Sequence, residues 1–224
     1  MSDESTTIDL TTLLRTLQVF PEHLPAFDVD RAPDHPVRLF VEWLTQAVDD
    51  KVSSPHAMSL ATADAAGRPS TRVLICKNVD DEGRWYFATS ATSAKGRDLA
   101  ANPHAALTFY WPQVGRQIRV RGPVASAGPE AGAADFLARP EGSRAEALIG
   151  RQSQPLDDPA DLDEAFRRAK AAIEADPGLV SPTWTLYALT AHEVEFWQAD
   201  HDRRHTRLCY RRDGQAWSRQ RLWP

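Results

Sequence analysis

The sequence predicts a mainly β fold with flanking helices, closed into an antiparallel barrel. Three observations carry that reading. Short apolar and polar-alternating segments recur from Ala57 to the C-terminus, many joined by hairpin turns. Helical periodicity is confined to the stretch before Val48, a short run after Ser93 and the region from 130 to 176. Strand–helix alternation and a G-x-G-x-x-G turn are both missing, which disfavours a parallel nucleotide-binding sheet. With so many short strands, closure is the packing that removes exposed edges.

The elements follow in order. Leu10, Leu13, Leu14 and Leu17 give residues 8 to 20 a short amphipathic helix pattern. Pro21 to His35 is rich in proline and aspartate and reads as a linker or mobile arm. Pro36 suits a first helical turn, and Val37, Phe40, Val41, Leu44 and Val48 then repeat at helical spacing. Strands are predicted at 57–62, 71–79 and 84–89. Their separators, Asp64-Ala65-Ala66-Gly67 and Asp80-Asp81-Glu82-Gly83, place glycine at the left-handed turn position. A helix at 93–101 stops at Asn102-Pro103, and strands follow at 105–111 and 117–126. Helices fill 130–176, the clearest with Leu162, Phe166, Ala169 and Ile173 on one face and acids in its first turn. The closing third is β again, at 183–190, 193–198, 206–211 and 217–222.

Composition bounds the function. A chain of 224 residues holds one domain with helical additions, and 42% hydrophobic with 25% charged residues is a globular balance. The net charge of -5 gives no broad attraction to nucleic acid or anionic membrane, so a basic cluster must be a local site for a small anion. Cys76 and Cys209 are far apart and lack zinc-ligand spacing, which fits a reducing cytosol and no metal site. No apolar stretch approaches membrane-span length, and Met1 to Thr7 is polar and acidic, unlike a secretory signal. A soluble cytoplasmic protein is expected.

Several local patterns could carry chemistry. Val194-Glu195-Phe196-Trp197-Gln198 is followed by the cations Arg203, His205 and Arg207, which share parity and would project from one face if the chain stayed extended. Such a surface suits a planar, electron-rich anion; the alternative is a solvated, arginine-rich turn. Thr92-Ser93-Ala94-Lys95 opens a helix and offers free N–H groups plus a lysine to a phosphate, or is an ordinary N-cap. Arg72 and Lys77 bracket an apolar run. Five positions apart, they lie on opposite faces of a regular strand unless a bulge re-aims one. Gln117, Arg119 and Arg121 line one strand face that could be solvated or could meet a cofactor or a second subunit. Arg151-Gln152-Ser153 offers an amide and a hydroxyl to a phosphate or flavin edge. Trp197 reads as core or interface, one of seven tryptophans. No Ser-His-Asp or Cys-His arrangement and no carboxylate pair emerges, so a bound cofactor is expected to carry any reaction.

Taken together, these segments resemble the pyridoxamine/pyridoxine 5′-phosphate oxidase family. The likeness runs from about Pro36 to Pro224 through the Arg72–Lys77 strand, Thr89 with Ser93 and Lys95, and Asn102-Pro103. It continues through Arg116-Gln117, Phe136 to Arg139-Pro140 with Ser143, and Gln152-Ser153. It ends on Glu195-Phe196-Trp197-Gln198-x4-Arg203-x-His205-x-Arg207, the specific C-terminal signature. There is also some resemblance to the FMN oxidases of phenazine biosynthesis.

The resemblance implies an FMN-binding split β-barrel of antiparallel, Greek-key type, and a homodimer with FMN at the subunit interface. An N-terminal arm at 1–35, partly mobile, would precede an FMN-binding domain at 36–224 with inserted helices at 130–176. By position, Arg72, Val73, Lys77, Thr89, Lys95, Gln117, Gln152, Ser153, Trp197 and Arg207 match FMN contacts. Lys77, Arg139, Ser143, Arg203 and His205 match the residues that hold a phosphorylated pyridine, with Arg203 and His205 the catalytic pair. The implied reaction passes a hydride from the substrate's C4′ carbon to flavin N5, with dioxygen as acceptor, yielding pyridoxal 5′-phosphate and hydrogen peroxide. A second reading is a paralogous oxidase of secondary metabolism acting on a reduced aromatic; a third is binding without turnover, disfavoured because Arg203 and His205 are retained.

Departures from the family pattern bear on the substrate side. Ala94 stands where many members carry a second cation. Asp135 falls where a tyrosine usually helps bind substrate phosphate, and a carboxylate ~4 Å from a phosphate costs about 4 kcal/mol per unit charge at an effective dielectric near 20. Lys77 and Arg139 could offset that, or Asp135 could point away. Arg204, Thr206 and Trp184-Thr185-Leu186 also depart from the pattern.

Overall fold

A computed structural model describes residues 9–224 of the chain. The part of the expected arm at residues 1–8 lies outside the described residues. Helix α1, Leu10–Thr16, is capped by the Asp9 carboxylate, which accepts from the Thr11 and Thr12 amides. All four of its predicted stripe leucines are exposed, so within the described chain the stripe packs on nothing. The segment read as a linker or mobile arm is tied down in its second half. Val29 and Ala32 are buried, Tyr210 donates to the Pro33 carbonyl (2.6 Å), and Arg219 donates to the carbonyls of Val29 and Ala32.

Helix α2, Pro36–Asp49, begins with proline at its first position, with the His35 ring accepting from the Val37 amide. Its buried face is Val37, Leu39, Phe40, Trp43 and Ala47, while Val41 and Val48 are exposed. The predicted stripe is therefore rotated. The large rings decide the seating, because burying Phe40 and Trp43 removes more apolar area than two valines do. Trp43 meets Phe196 edge-on at 5.1 Å, and Phe40 lies 5.0 Å from Phe109.

Ten strands form the sheet: β1 (Ala57–Ala63), β2 (Pro69–Ile75), β3 (Asn78–Val79), β4 (Arg84–Ser90), β5 (His104–Trp111), β6 (Arg116–Ser126), β7 (Trp184–Thr190), β8 (Glu193–Gln198), β9 (Thr206–Asp213) and β10 (Ala216–Arg221). Every pairing is antiparallel, in the order β10-β9-β8-β6-β5-β1-β2, with β7 bridging β6 to β4 and β3. The neighbours β1/β5 and β6/β8 are not consecutive in the chain, the return connections of a Greek-key sheet. The two predicted hairpin turns hold, with Gly67 and Gly83 both at φ +76.

Strand β6 bends the sheet into a curled half-barrel. Its first half pairs with β8 up to Arg121 and its last residues pair with β7 from Val124. Gly122 sits at the handover, where an added Cβ would come within 2.0 Å of the Thr190 carbonyl oxygen. The inner face packs Leu60, Leu107, Val120, Val194 and Tyr210, one residue per strand in register, against Trp85, Phe87 and Leu189 of β4 and β7, with α2 as lid. The opposite face carries Val73, Ser59, Thr108, Arg119, Glu195 and Cys209 in register, with Gln117, Trp197 and Arg207 one pair further on.

Helix α3 (Ala94–Ala101) follows β4, and α4 (Pro129–Leu137), α5 (Glu141–Ile149) and α6 (Pro159–Ala175) fill the predicted insertion. Ala145, Ala169 and Ile173 form a small second core with Leu148, Ile149 and Phe166 around them. Leu162, expected on that face, is 40% exposed, because it sits at the open first turn of α6.

Candidate active site

The single predicted strand at 71–79 is two. Strand β2 ends at Ile75; the Cys76 amide then donates to His56 O, and the Lys77 amide to Tyr86 O (2.8 Å). The chain thus leaves β1 for β4 between Arg72 and Lys77. This change of partner, with no bulge, is what re-aims the two cations. Arg72 pairs in register with buried Leu60, so it stands on the inner side of the sheet edge. Val73 lies on the other face, 65% exposed.

Three groups of residues then assemble. The first is a cradle at the start of α3. The Ser93 hydroxyl caps the helix by accepting from the Gly96 amide. Lys95, buried one turn in, donates to Thr89 Oγ1 (3.3 Å) and Gln152 Oε1 (3.1 Å). Arg72 donates to Thr62 Oγ1 (2.7 Å) and the Leu60 carbonyl, with Asp98 at 3.8 Å. Thr62 in turn donates to Asp98 (2.7 Å). Burial pushes the Lys95 ammonium below its ordinary pKa, and the charge of Arg72 pushes the same way, with Glu146 opposing. A buried ammonium whose hydrogen bonds go only to neutral oxygens is incompletely compensated. An anion with several acceptor oxygens would satisfy it, so the cradle fits a phosphate group. Ser153, at φ +70 and exposed, makes no hydrogen bond to this group among the described residues.

The second group lies on the outer sheet face. Gln117, Trp197 and Arg207 stand opposite one another on β6, β8 and β9. Glu195, 4% exposed, fixes the arginines: Arg207 Nε donates to it at 2.8 Å and Arg119 lies at 3.2 Å. That hydrogen bond raises the pKa of Arg207. The expectation that Arg203, His205 and Arg207 share one extended face fails. Residues 200–205 form a turn in which Arg203 has φ +64 and the Asp200 carboxylate accepts from the Asp202 and Arg204 amides. The turn still brings His205 to Trp197, ring centres 4.8 Å apart, with Phe20 of the arm 5.6 Å from His205 and beneath Arg203 at 5.7 Å. His205 Nδ1 accepts from the Asp200 amide (3.0 Å), which assigns the proton of the neutral ring to Nε2.

The third group joins Lys77, Asp135, Arg139 and Trp184. Lys77 Nζ lies 3.3 Å from Asp135 Oδ1, and Trp184 Nε1 donates to Asp135 Oδ2 (2.8 Å). Arg139 stacks on the Trp184 ring at 4.0 Å, donates to the Ser143 carbonyl (2.9 Å) and lies 3.6 Å from Glu146. Burial lowers the pKa of Arg139, against the raising effects of Glu146 and Asp135. Its Nε is buried without a hydrogen-bond partner among the described residues. Asp135 therefore points at the lysine, and the Ser143 carbonyl accepts from Arg139.

The first and second groups do not meet in one chain. No hydrogen bond or ion pair among the described residues links them, and along the sheet Gln117 on β6 is three strand steps from Arg72 on β2 and Arg207 on β9 is five, roughly 14 and 24 Å of path at ~4.8 Å each. Sequence reasoning missed the carboxylates that fix the cations. Asp98 falls one helical turn after Lys95, and Glu195 shares parity with Trp197, so spacing alone could have suggested both.

Curled antiparallel half-barrel, buried cationic cradle and cation-flanked tryptophan define a protein of the split-barrel class. More particularly, the chain belongs to the pyridoxamine 5′-phosphate oxidase family, a family of flavin-dependent oxidoreductases. The family model described as pyridoxamine 5′-phosphate oxidase matches residues 44–198, and the pyridoxine 5′-phosphate oxidase C-terminal dimerisation region matches 184–224. A pyridoxine/pyridoxamine 5′-phosphate oxidase of Paraburkholderia phymatum is 40% identical over 202 residues, covering 90% of this chain and 94% of the relative. That of Ectopseudomonas mendocina is 41% identical over 196 residues, covering 87% and 91%. Among solved structures, PhzG from Burkholderia lata 383, in complex with tetrahydrophenazine-1-carboxylic acid, superposes with a TM-score of 0.82 at 32% identity, covering 90% of this chain and 99% of PhzG. An FMN binding protein related to pyridoxamine 5′-phosphate oxidase, from Nostoc punctiforme, shares the fold (TM-score 0.70, 21% identity, 84% and 97% covered). Among the described residues, no helix is long and apolar enough to cross a membrane.

Proposed function

We propose that this chain is an FMN-dependent oxidase that works as a homodimer and converts pyridoxamine or pyridoxine 5′-phosphate to pyridoxal 5′-phosphate. The observation that carries the reading is the buried Lys95, held by Thr89 and Gln152 beside Arg72, which suits the phosphate of FMN. The dimer accounts for the separation between this cradle and the Gln117–Trp197–Arg207 row, since a second copy can bring its row to the first copy's cradle. The match to a dimerisation region supports this. In this reading 36–224 is one flavin-binding domain with helices inserted at 130–176, residues 1–35 are an arm, and the protein is cytoplasmic, in keeping with two unlinked thiols.

Bound FMN would supply a hydride acceptor at N5 for the substrate's C4′ carbon, with dioxygen as the final acceptor. The chain's own part is binding and orientation. Arg72, Thr89, Lys95 and Gln152 would hold the cofactor phosphate, and Val73, Lys77, Gln117, Ser153, Trp197 and Arg207 would supply the remaining FMN contacts. Lys77, Arg139 and Ser143 anchor the substrate. Arg203 and His205 lie across it, with the Nε2–H of His205 left to donate to a substrate oxygen. Glu195 keeps Arg207 and Arg119 in place by hydrogen bond and charge.

A second reading, an oxidase acting on a reduced aromatic, is favoured by one observation: Asp135 occupies Lys77 in the pocket that would take the substrate phosphate. The 32% identity to PhzG supports it as well. Anaerobic mixing of FMN-loaded protein with pyridoxine 5′-phosphate separates the two. Bleaching of flavin absorbance is expected. No bleaching with that substrate, but bleaching with a reduced tricyclic aromatic, would establish the second reading in its place.

A further inference from the structure

The Lys95 cradle and the Lys77–Arg139 group differ in charge balance. In the cradle, Lys95 hydrogen-bonds only neutral oxygens, and the one carboxylate in contact distance, Asp98, lies 3.8 Å from Arg72. In the Lys77–Arg139 group, two cations face two carboxylates: Lys77 with Asp135 at 3.3 Å, and Arg139 with Glu146 at 3.6 Å. Asp135 is the better buried member of its pair, with 12% of its side chain exposed against 32% for Lys77. The Trp184 indole, donating to its second oxygen at 2.8 Å, holds it there, and Arg139 covers the same indole at 4.0 Å. The carboxylate is therefore held from two sides and does not swing clear of an incoming ligand without giving up both contacts.

We propose that Asp135 determines the substrate class of this site: it neutralises Lys77, so that the pocket takes a neutral or singly charged substituent in preference to a phosphate dianion. The inference rests on the flavin-oxidase reading above and concerns its substrate side only. A phosphate monoester carries close to two charges at neutral pH, and placing it beside Lys77 means placing it beside Asp135. Arg139, the other cation of the group, is already shared between Glu146 at 3.6 Å and the Ser143 carbonyl at 2.9 Å. On the pyridoxine 5′-phosphate reading, the oxidase then accepts the unphosphorylated vitamer at least as well. On the reduced-aromatic reading, the same group suits a monocarboxylate.

The test uses FMN-loaded protein and two probes, pyridoxine 5′-phosphate and pyridoxine, titrated calorimetrically into wild type, Asp135→Asn, Lys77→Met and the double variant. Asparagine keeps an acceptor for Trp184, and thermal melting with FMN retention checks that each variant folds. For wild type, the phosphorylated probe is expected to bind no more tightly than the unphosphorylated one. Asp135→Asn should raise that ratio by about tenfold, mainly through the phosphorylated probe. Lys77→Met should lower the ratio more in the Asp135→Asn background than in wild type. An unchanged ratio in Asp135→Asn, or a wild-type preference for the phosphorylated probe, overturns the proposal, as does holoprotein that binds neither probe. A protein that retains no FMN overturns the reading beneath it, and the inference falls with it.

Discussion

Replacing Lys95 by methionine tests the cradle. In the wild-type chain the ammonium is buried against Thr89 and Gln152, and burial together with Arg72 holds its pKa below the ordinary lysine value. The sign follows. A lysine with a lowered folded-state pKa weakens the cofactor-free fold wherever it is charged, and that cost disappears as pH rises past the unfolded value. Lys95→Met should therefore leave the cofactor-free melting temperature unchanged or raise it at neutral pH. With FMN the balance reverses. A lysine–phosphate contact at ~4 Å and an effective dielectric near 20 amounts to about 4 kcal/mol per unit charge, and Arg72 together with residual solvent reduces the net loss to about 2–3 kcal/mol. The dissociation constant for FMN should then rise about 30- to 150-fold. Quenching of FMN fluorescence measures that constant, and melting with and without FMN separates affinity from fold, because a ligand stabilises only the state it binds. FMN affinity within about threefold of wild type, or a cofactor-free melting temperature about 8 °C lower with affinity intact, would refute a phosphate role for Lys95.

Three further outcomes are expected. Arg203→Ala and His205→Ala should each impair substrate oxidation far more than FMN retention; loss of flavin with normal turnover in added FMN would overturn the division of the site. Gly122→Ala should destabilise the fold by about 3 kcal/mol or more, because its Cβ would lie 2.0 Å from the Thr190 carbonyl at the bend of β6, and a melting temperature equal to wild type would contradict that geometry. Glu193 is buried, which raises its pKa, but Arg121 and Arg211 win and hold it below the ordinary 4.5. The stability this confers is present above 4.5 and lost as pH falls through the lower folded value. Glu193→Gln should flatten the acid limb of a melting-temperature profile by an amount on the order of 1 kcal/mol, given how exposed the two arginines are.

How much of this was legible beforehand depends on the range of the interaction. Strand periods, glycine turns and the Ser93 cap are set by neighbours within a few residues, and the strands, both hairpins and α3 fall close to where the sequence put them. The rotated face of α2 was not legible, because Val41 and Val48 score as well as Phe40 by spacing, and only the place of Phe109 and Phe196 decides which rings are buried. The break of 71–79 after Ile75 was not legible either, since β1 and β4 compete for that segment from different sides of the half-barrel.

By itself, the order of residues determined an antiparallel β protein, its helical insertion and a set of cations matching one family. Tertiary structure alone decided which charges face which. Asp135 and Lys77 are 58 positions apart along the chain, and no local period links them; their 3.3 Å contact exists because α4 packs on β7, where Trp184 fixes the carboxylate. A charge acts through distance in space, so its partner is known only when the fold has closed.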